Sequence, residues 1–177
     1  SLSIQTIKNF RIILINDGGC NIKKLLEEFK TLKIDLVNLK QNIGLTKCLN
    51  ICIKKADTKY IARMDADDYA LPNRLEMQLD YLKRNKLDLI GSSTYRKSKN
   101  SDKYRISNQI NSLEQLKRKM KYFAPIAHPT LFGKTNIFKN LMYNEKLIYG
   151  QDYDFIARAI LNNYKIGNLN QPLLIYN

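Results

Sequence analysis

The chain has 177 residues, the usual size of one domain. Its hydrophobic content of 44% excludes a disordered protein, because that much apolar side chain supports a core. No stretch approaches the roughly 18–20 apolar residues of a bilayer-spanning helix, and no segment resembles a secretory leader, so we expect a cytoplasmic location. The formal charge of +14 is compatible with anionic partners, although scattered lysines are also typical of a solvated basic surface.

Strand-like and helix-like segments alternate in the first half. Ile12 to Ile15, Ile34 to Leu39 and Tyr60 to Met64 are short apolar runs of the kind that strands buried on both faces have. Helical spacing of apolar residues predicts the helices between them (Ile22, Leu25, Leu26, Phe29 and Leu32; then Leu45, Cys48, Leu49, Cys52 and Ala56). Pro72 suits the first turn of another helix, and Leu87 to Ser92 predicts a fourth strand. This order indicates an α/β fold with a mainly parallel sheet flanked by helices.

The second half is less regular. Thr94 to Asn108 is polar and basic, which predicts a mobile loop. Ser112 followed by Gln115 is the pattern of a capping box, where a helix begins. Asp152 to Leu161 predicts the last helix, because its apolar residues recur at helical spacing.

Carboxylates gather at the predicted ends of two strands. Asp17 follows the first, and Asp65, Asp67 and Asp68 follow the third. Ligands of parallel α/β sheets bind beyond these ends, and crowded carboxylates repel one another unless a cation lies between them. Mn²⁺ or Mg²⁺ held together with a diphosphate would fit, since both ions prefer oxygen ligands. An acidic turn before a helix explains the pattern equally well.

Several motifs, in the same order, resemble the family-2 glycosyltransferases of the GT-A (Rossmann-like) fold. The segment SLSIQTIKNFRIILINDGG is similar to the family's first helix and second strand. QNIGLTKCLN, followed by RMDADDYALPNR, resembles its Gly-Leu…Asn helix, its metal-binding DxD motif and its Pro-x-Arg helix. HPTLF and YGQDYDF resemble the late motif that supplies the catalytic base. The resemblance covers essentially the whole chain and implies an inverting enzyme that uses a nucleotide-sugar donor.

The resemblance also implies roles for individual acids. Asp17 would contact the nucleobase or ribose of the donor, and Asp65 would face the ribose and diphosphate. Asp67 would be the main ligand of Mn²⁺ or Mg²⁺, with Asp68 supporting it. Asp152 would be the general base that deprotonates the acceptor.

Arg63 and His128 have two interpretations each. Arg63 would neutralise carboxylates or meet phosphate, or form a structural ion pair. His128 and Gln151 are candidate donor or acceptor contacts, although His128 is as plausibly a structural hydrogen-bonding group. Gln151 stands where the family usually has Glu. Asp152 also fits a plain helix N-cap, and Asp154 would then be the next candidate for the base.

The ends of the chain differ from the family pattern. The family's first strand does not precede Ser1, and relatives usually continue beyond Asn177, so we expect a chain truncated at both ends. Strand edges left by the missing strand would invite pairing, which predicts a homodimer or a rearranged sheet. We expect one catalytic domain over residues 1–177, with a nucleotide-sugar-binding half at 1–94 and an acceptor half at 95–177.

The predicted enzyme transfers a sugar from a nucleotide-sugar, with UDP favoured, to a saccharide or lipid-linked acceptor in cell-surface polysaccharide biosynthesis. Peripheral contact with the inner face of the membrane would suit the basic surface. An inactive or structural fragment of such a domain is one alternative. A sugar-phosphate nucleotidyltransferase is another, although no Gly-rich phosphate loop is visible. No nucleic-acid partner is expected, because no RNP-like motif accompanies the basic residues.

Overall fold

The structure, a computed structural model, describes residues 1–98, 103–107, 109, 110 and 112–177. The strands are β1 (Ile12–Asp17), β2 (Ile34–Leu39), β3 (Tyr60–Ala62), β4 (Tyr69–Ala70), β5 (Leu89–Lys97), β6 (Tyr104–Ser107), β7 (Phe132–Lys134) and β8 (Ile166–Tyr176). The helices are α1 (Lys23–Leu26), α2 (Leu45–Lys55), α3 (Arg74–Arg84), α4 (Leu113–Met120), α5 (Thr135–Leu141) and α6 (Gln151–Leu161). Short 3₁₀ turns lie at Leu2–Ile4, Glu27–Phe29 and His128–Thr130. No helix in these ranges is both long and apolar enough to cross a membrane.

Within the described part of the chain, the strands form two sheets. Strands β1 and β2 pair in parallel as a two-stranded sheet. The larger sheet has the order β3-β7-β5-β8-β4, with β6 added to β5. Only β5 and β8 are parallel in it, because β7, β4 and β6 all enter antiparallel to their neighbours. The α/β class with flanking helices is confirmed, but the sheet is mixed rather than purely parallel.

Two predicted segments differ from the structure. The helix predicted around Leu25 and Phe29 is reduced to α1 and a 3₁₀ turn, and both side chains are exposed. The loop predicted over residues 94–108 is wrong where the structure describes it. There β5 continues to Lys97 and pairs with β6 in an antiparallel hairpin. The positions 99–102 and 108 of that prediction lie outside the described residues.

Aromatic side chains of α5, α6 and the loop between them form one part of the hydrophobic core. Phe138 and Phe155 stack with ring centroids 5.4 Å apart, and Tyr143 stacks on Phe155 at 4.6 Å. Phe155 and Phe138 are almost fully buried. This packing fixes the first turn of α6, where Gln151 and Asp152 lie.

Candidate active site

A cavity of about 340 Å³ lies where β3, the 3₁₀ turn at His128–Thr130, the beginning of α6 and the end of β8 meet. Of the predicted site residues it brings together Arg63, Asp65, His128, Gln151 and Asp152. Arg63 and Asp152 are 89 positions apart in the sequence, so only the tertiary fold brings these residues together. The cavity is the candidate active site.

Arg63 and Asp65 form an ion pair on one side of this cavity. Two guanidinium nitrogens of Arg63 donate to the two carboxylate oxygens of Asp65, at 2.6 and 2.5 Å. The Arg63 side chain is buried, whereas Asp65 is about one-third exposed. This geometry corresponds to the ion pair that was one of the two interpretations of Arg63. It also neutralises one charge of the acidic cluster, which lowers the repulsion among the carboxylates.

Arg74, in the first turn of α3, holds the cavity wall together. Its fully buried guanidinium donates to the carbonyl of Arg63 at 2.5 Å, to that of Pro129 at 2.8 Å and to Oε1 of Gln78 at 3.1 Å. Burial lowers the pKa of Arg74 to about 10, so it remains charged at neutral pH. Gln78 in turn donates to the carbonyl of Thr130 at 2.8 Å. The end of β3 is thereby locked to the 3₁₀ turn that carries His128, a role that the sequence did not suggest.

The two predicted metal ligands lie beside the ion pair and differ in burial. Asp67 is exposed, whereas Asp68 is buried. Oδ1 of Asp68 accepts from the backbone N–H of Asn177 at 3.1 Å, and its Oδ2 is buried with no hydrogen-bond partner among the described residues. Burial raises the pKa of Asp68, although the Asn177 N–H opposes this. An orphaned carboxylate oxygen next to a second carboxylate fits a hard cation that takes other oxygens from its substrate.

Within the described ranges, no group of three or more His, Cys, Asp or Glu side chains could hold a metal ion by itself. The described acids alone therefore do not supply a full set of metal ligands. This agrees with the way Mg²⁺ is usually bound, through one or two carboxylates plus phosphate oxygens. Metal binding stays a prediction for Asp67 and Asp68.

His128 is half-buried and hydrogen-bonded to a buried tyrosine. Its Nε2 lies 2.8 Å from the hydroxyl of Tyr143, and the two rings meet edge to face. Burial, helped by the nearby Arg63 charge, lowers the pKa of His128 to about 3. Burial also raises the pKa of Tyr143. Both groups are therefore neutral at physiological pH, so His128 acts in the cavity as a dipole rather than as a cation.

Asp152 is the second residue of α6 and is not its N-cap. Gly150 occupies the N-cap with φ +71°, a left-handed conformation that glycine adopts without strain. The interpretation of Asp152 as a plain N-cap is therefore wrong. The positive end of the helix still favours a charged carboxylate in its first turn. Asp154, the alternative candidate, is held by Nε and a terminal nitrogen of Arg158 at 2.9 and 2.7 Å.

Asp17 lies outside the cavity lining. Its Oδ1 accepts from the backbone N–H of Ile43 at 2.8 Å, and its Oδ2 accepts from that of Gly44 at 3.0 Å. These bonds lower the pKa of Asp17, the Ile43 bond most strongly. Gly44 is the N-cap of α2, and the next residue, Leu45, lines the cavity. Asp17 therefore holds a turn whose next residue lines the cavity. Its contact with a nucleotide stays a prediction.

Arg96 and Tyr176 are among the lining residues of the cavity that the sequence did not predict. Arg96 and Tyr176 lie opposite each other on the paired strands β5 and β8, and both line the cavity. Arg96 falls in the segment that was predicted as a loop, and Tyr176 lies 80 positions further along the chain. Only the pairing of these distant strands brings them together, and no local pattern in the sequence indicates it.

Comparison with known proteins identifies the family. Residues 1–148 match Glycosyl transferase family 2. The chain is 36% identical over 188 residues to the uncharacterized glycosyltransferase MJ1057 of Methanocaldococcus jannaschii, covering 99% of this chain and 63% of the relative. It is 35% identical over 188 residues to the O-antigen biosynthesis glycosyltransferase WbnJ of Escherichia coli, covering 99% of this chain and 71% of that protein.

The fold is similar to that of S. aureus TarS 1-349 in complex with UDP, with a TM-score of 0.77 and 19% identity over 99% of this chain and 54% of the TarS chain. TarS 1-349 in complex with UDP-GlcNAc matches with a TM-score of 0.76 and 19% identity, over 99% of this chain and 52% of that one. The chain thus spans about half of the TarS chains and under two thirds of the M. jannaschii relative. From the match to residues 1–148 and the shared architecture, we conclude that this chain belongs to glycosyltransferase family 2 and has the GT-A fold.

Proposed function

We propose that the protein is a metal-dependent inverting glycosyltransferase that moves a sugar from a UDP-sugar to a saccharide or lipid-linked acceptor. The observation that carries this proposal is the single cavity that Asp152 shares with the Arg63–Asp65 pair, beside Asp67 and Asp68. Membership of the family supports glycosyl transfer. The UDP and UDP-GlcNAc bound to TarS support a UDP-sugar donor, and the role of WbnJ in O-antigen biosynthesis supports a place in polysaccharide biosynthesis.

In the proposed reaction, Asp152 accepts the proton of an acceptor hydroxyl while that oxygen attacks the anomeric carbon of the donor sugar. The bond from that carbon to the diphosphate breaks on the opposite face, so the configuration inverts. Asp67 and Asp68 would hold Mn²⁺ or Mg²⁺, which supplies positive charge against the leaving diphosphate. The Arg74 bonds keep the Asp65 side and the His128 side of the cavity at a fixed separation.

The other site residues have supporting roles in this proposal. Neutral His128 and Gln151 orient donor or acceptor hydroxyls, since Oε1 of Gln151 is buried with no hydrogen-bond partner in the described ranges. Arg63 fixes the orientation of the Asp65 carboxylate, which in this proposal faces the donor. Asp17 serves the nucleotide end, through its carboxylate or through the turn at Ile43 and Gly44.

The proposed setting is the cytoplasmic side of the membrane, with the basic surface against anionic lipid. The proposed assembly is a homodimer. Its support is that β1 pairs only with β2, and β3 only with β7, within the described residues. Unpaired strand edges of this kind invite strand pairing with a second chain. The family match supports glycosyl transfer over the nucleotidyltransferase alternative.

A thermal-shift screen tests the proposal. UDP-, GDP- and dTDP-sugars are added with and without Mn²⁺, because a ligand that binds only the native state raises its stability by about 2.7 kcal/mol at a hundred times its Kd. We expect a rise with a UDP-sugar that needs Mn²⁺. Asp67→Asn is the matched control, since it removes a proposed ligand from an exposed position. No rise with any nucleotide sugar would contradict the proposal.

A further inference from the structure

Arg96 has a guanidinium without an anionic partner in the cavity. The group stacks on the ring of Tyr176, with the guanidinium carbon 4.2 Å from the ring centroid. Its Nε is buried and has no hydrogen-bond partner among the described residues. Asp65 and Asp152 line the same cavity, yet Asp65 is paired with Arg63 and neither forms an ion pair with Arg96. Leaving such a donor unsatisfied costs free energy unless a ligand supplies the missing acceptor.

The stacking leaves Arg96 suited to one kind of ligand. The contact with the Tyr176 ring restrains the guanidinium, and this planar group carries its N–H donors along its edge. That planar fork matches the two oxygens of a phosphate or a carboxylate, which bind it through parallel hydrogen bonds. Tyr176 is half-buried and itself fixed by strand pairing, so the fork is held in place before any ligand arrives. The geometry therefore points to an oxyanion as the ligand of Arg96.

The charges of the β5–β6 hairpin favour the acceptor as the source of that oxyanion. Arg96 lies on the β5–β6 hairpin, which also carries the exposed basic residues Lys97, Lys103 and Arg105. An acceptor that approaches Asp152 along this hairpin passes a positive surface, which favours an acidic molecule.

We propose that Arg96 binds a phosphate or carboxylate group of the acceptor and thereby selects anionic acceptors. This inference rests on the proposed function, because it needs a cavity in which donor and acceptor meet. In this inference Arg96 binds an anionic group of the acceptor that does not react, and Asp152 accepts the proton of the hydroxyl that does. The protein's net charge of +14 would also attract a negatively charged acceptor.

The test uses the whole chain saturated with UDP and Mg²⁺, so that the donor diphosphate subsite is filled. Glycerol 1-phosphate is titrated, with neutral glycerol as its control, and the ¹H–¹⁵N signal of the Arg96 Nε–H is followed. We expect the signal to shift with glycerol 1-phosphate and not with glycerol. Arg96→Gln should weaken glycerol 1-phosphate binding at least about tenfold, since hydrogen bonds to charged groups contribute about 1.5–3 kcal/mol. Its UDP affinity should stay within about twofold of the wild type.

Two further variants make the result specific. Arg105→Gln removes the same charge from the exposed residue paired with Arg96 across the hairpin. Because it removes only a screened attraction, it should change neither affinity by more than about twofold. Arg96→Lys keeps the charge without the planar fork and should recover only part of the anion affinity. Equal losses of UDP and glycerol 1-phosphate in Arg96→Gln would assign the residue to the donor and overturn the inference. Unchanged anion binding in that variant would overturn it too. Failure of the wild type to bind UDP would instead contradict the proposed function.

Discussion

The imidazole Nε2 of His128 lies 2.8 Å from the hydroxyl of Tyr143, in a setting that lowers the pKa of the histidine to about 3. His128 is the only histidine of the chain, so no second imidazole contributes to the pH dependence of stability. In the unfolded chain its pKa is near the ordinary value of about 6.5. The unfolded state therefore takes up a proton below that pH while the folded state does not.

The first prediction follows from this difference. Stability should be constant with respect to His128 above pH 6.5 and should fall as the pH falls toward 3. Between pH 7 and pH 5 the loss should reach up to about 2 kcal/mol. His128→Gln, which can still bond to Tyr143, should remove this loss. Urea unfolding of both proteins at several pH values measures it, and parallel curves for the two would contradict the prediction.

The second prediction concerns Arg74, whose guanidinium is bonded to two backbone carbonyls and to Gln78. Arg74→Met should destabilise the protein by about 3–5 kcal/mol, because buried acceptors lose their donor. Arg84→Gln, at the exposed end of the same helix, should cost no more than about 0.5 kcal/mol. Chemical denaturation compares the two. Equal small effects would mean that Arg74 does not join β3 to the 3₁₀ turn.

The third prediction separates Asp152 from its neighbour. If Asp152 is the general base, Asp152→Asn should lower the transfer rate by about 10²–10⁴ and change donor affinity little. The fold should tolerate the change, because Gly150 and not Asp152 caps α6. Asp154→Asn is the comparison, since it breaks the bonds to Arg158 and should reduce stability more than chemistry. A transfer rate for Asp152→Asn within about threefold of wild type would move the base to another residue.

The fourth prediction concerns the exposed Asp67. Asp67→Asn should abolish the Mn²⁺-dependent part of UDP-sugar binding and leave the metal-free stability nearly unchanged, because surface substitutions usually change it by no more than about 0.5 kcal/mol. Isothermal titration with and without Mn²⁺, together with a melting curve, measures both. Asp57→Asn provides a comparison at a second exposed acid, outside the cluster. Wild-type affinity in Asp67→Asn with Mn²⁺ present would contradict the metal assignment.

The sequence predicted correctly the elements whose own residues carry the pattern of apolar and capping side chains. The strand over Ile34 to Leu39 has the predicted bounds, and Ser112 caps α4 by accepting from the N–H of Gln115. The helix α2 was also predicted, and Cys48 and Ala56 of its apolar stripe are buried, although Leu45 is exposed. In each case the pattern that predicts the element lies within the element itself. The motif residues Arg63 and Asp65, His128, and Gln151 and Asp152 also lie in short contiguous segments, and the structure places them around one cavity.

The remaining features depend on partners far away in the chain. Whether the polar segment around Arg96 forms a strand is decided by its pairing with β8, about 80 positions later. Conversely, apolar residues recur at helical spacing around Leu25, yet the structure has only α1 and a 3₁₀ turn there, with Leu25 and Phe29 exposed. The role of Arg74 was equally invisible, since two of its acceptors are backbone carbonyls. A carbonyl has no side-chain signature in a sequence.

The separation of β1 and β2 from the larger sheet has a consequence for amide hydrogen exchange. No residue of β1 or β2 is fully buried, whereas β5 is buried over its first six residues. Regions with few buried contacts open at a lower free energy than the core of the same protein. The amides of β1 and β2 should therefore exchange with deuterium earlier than those of β5 and β8, as a separate cooperative unit. The turn that Asp17 holds beside the cavity belongs to that earlier-opening unit.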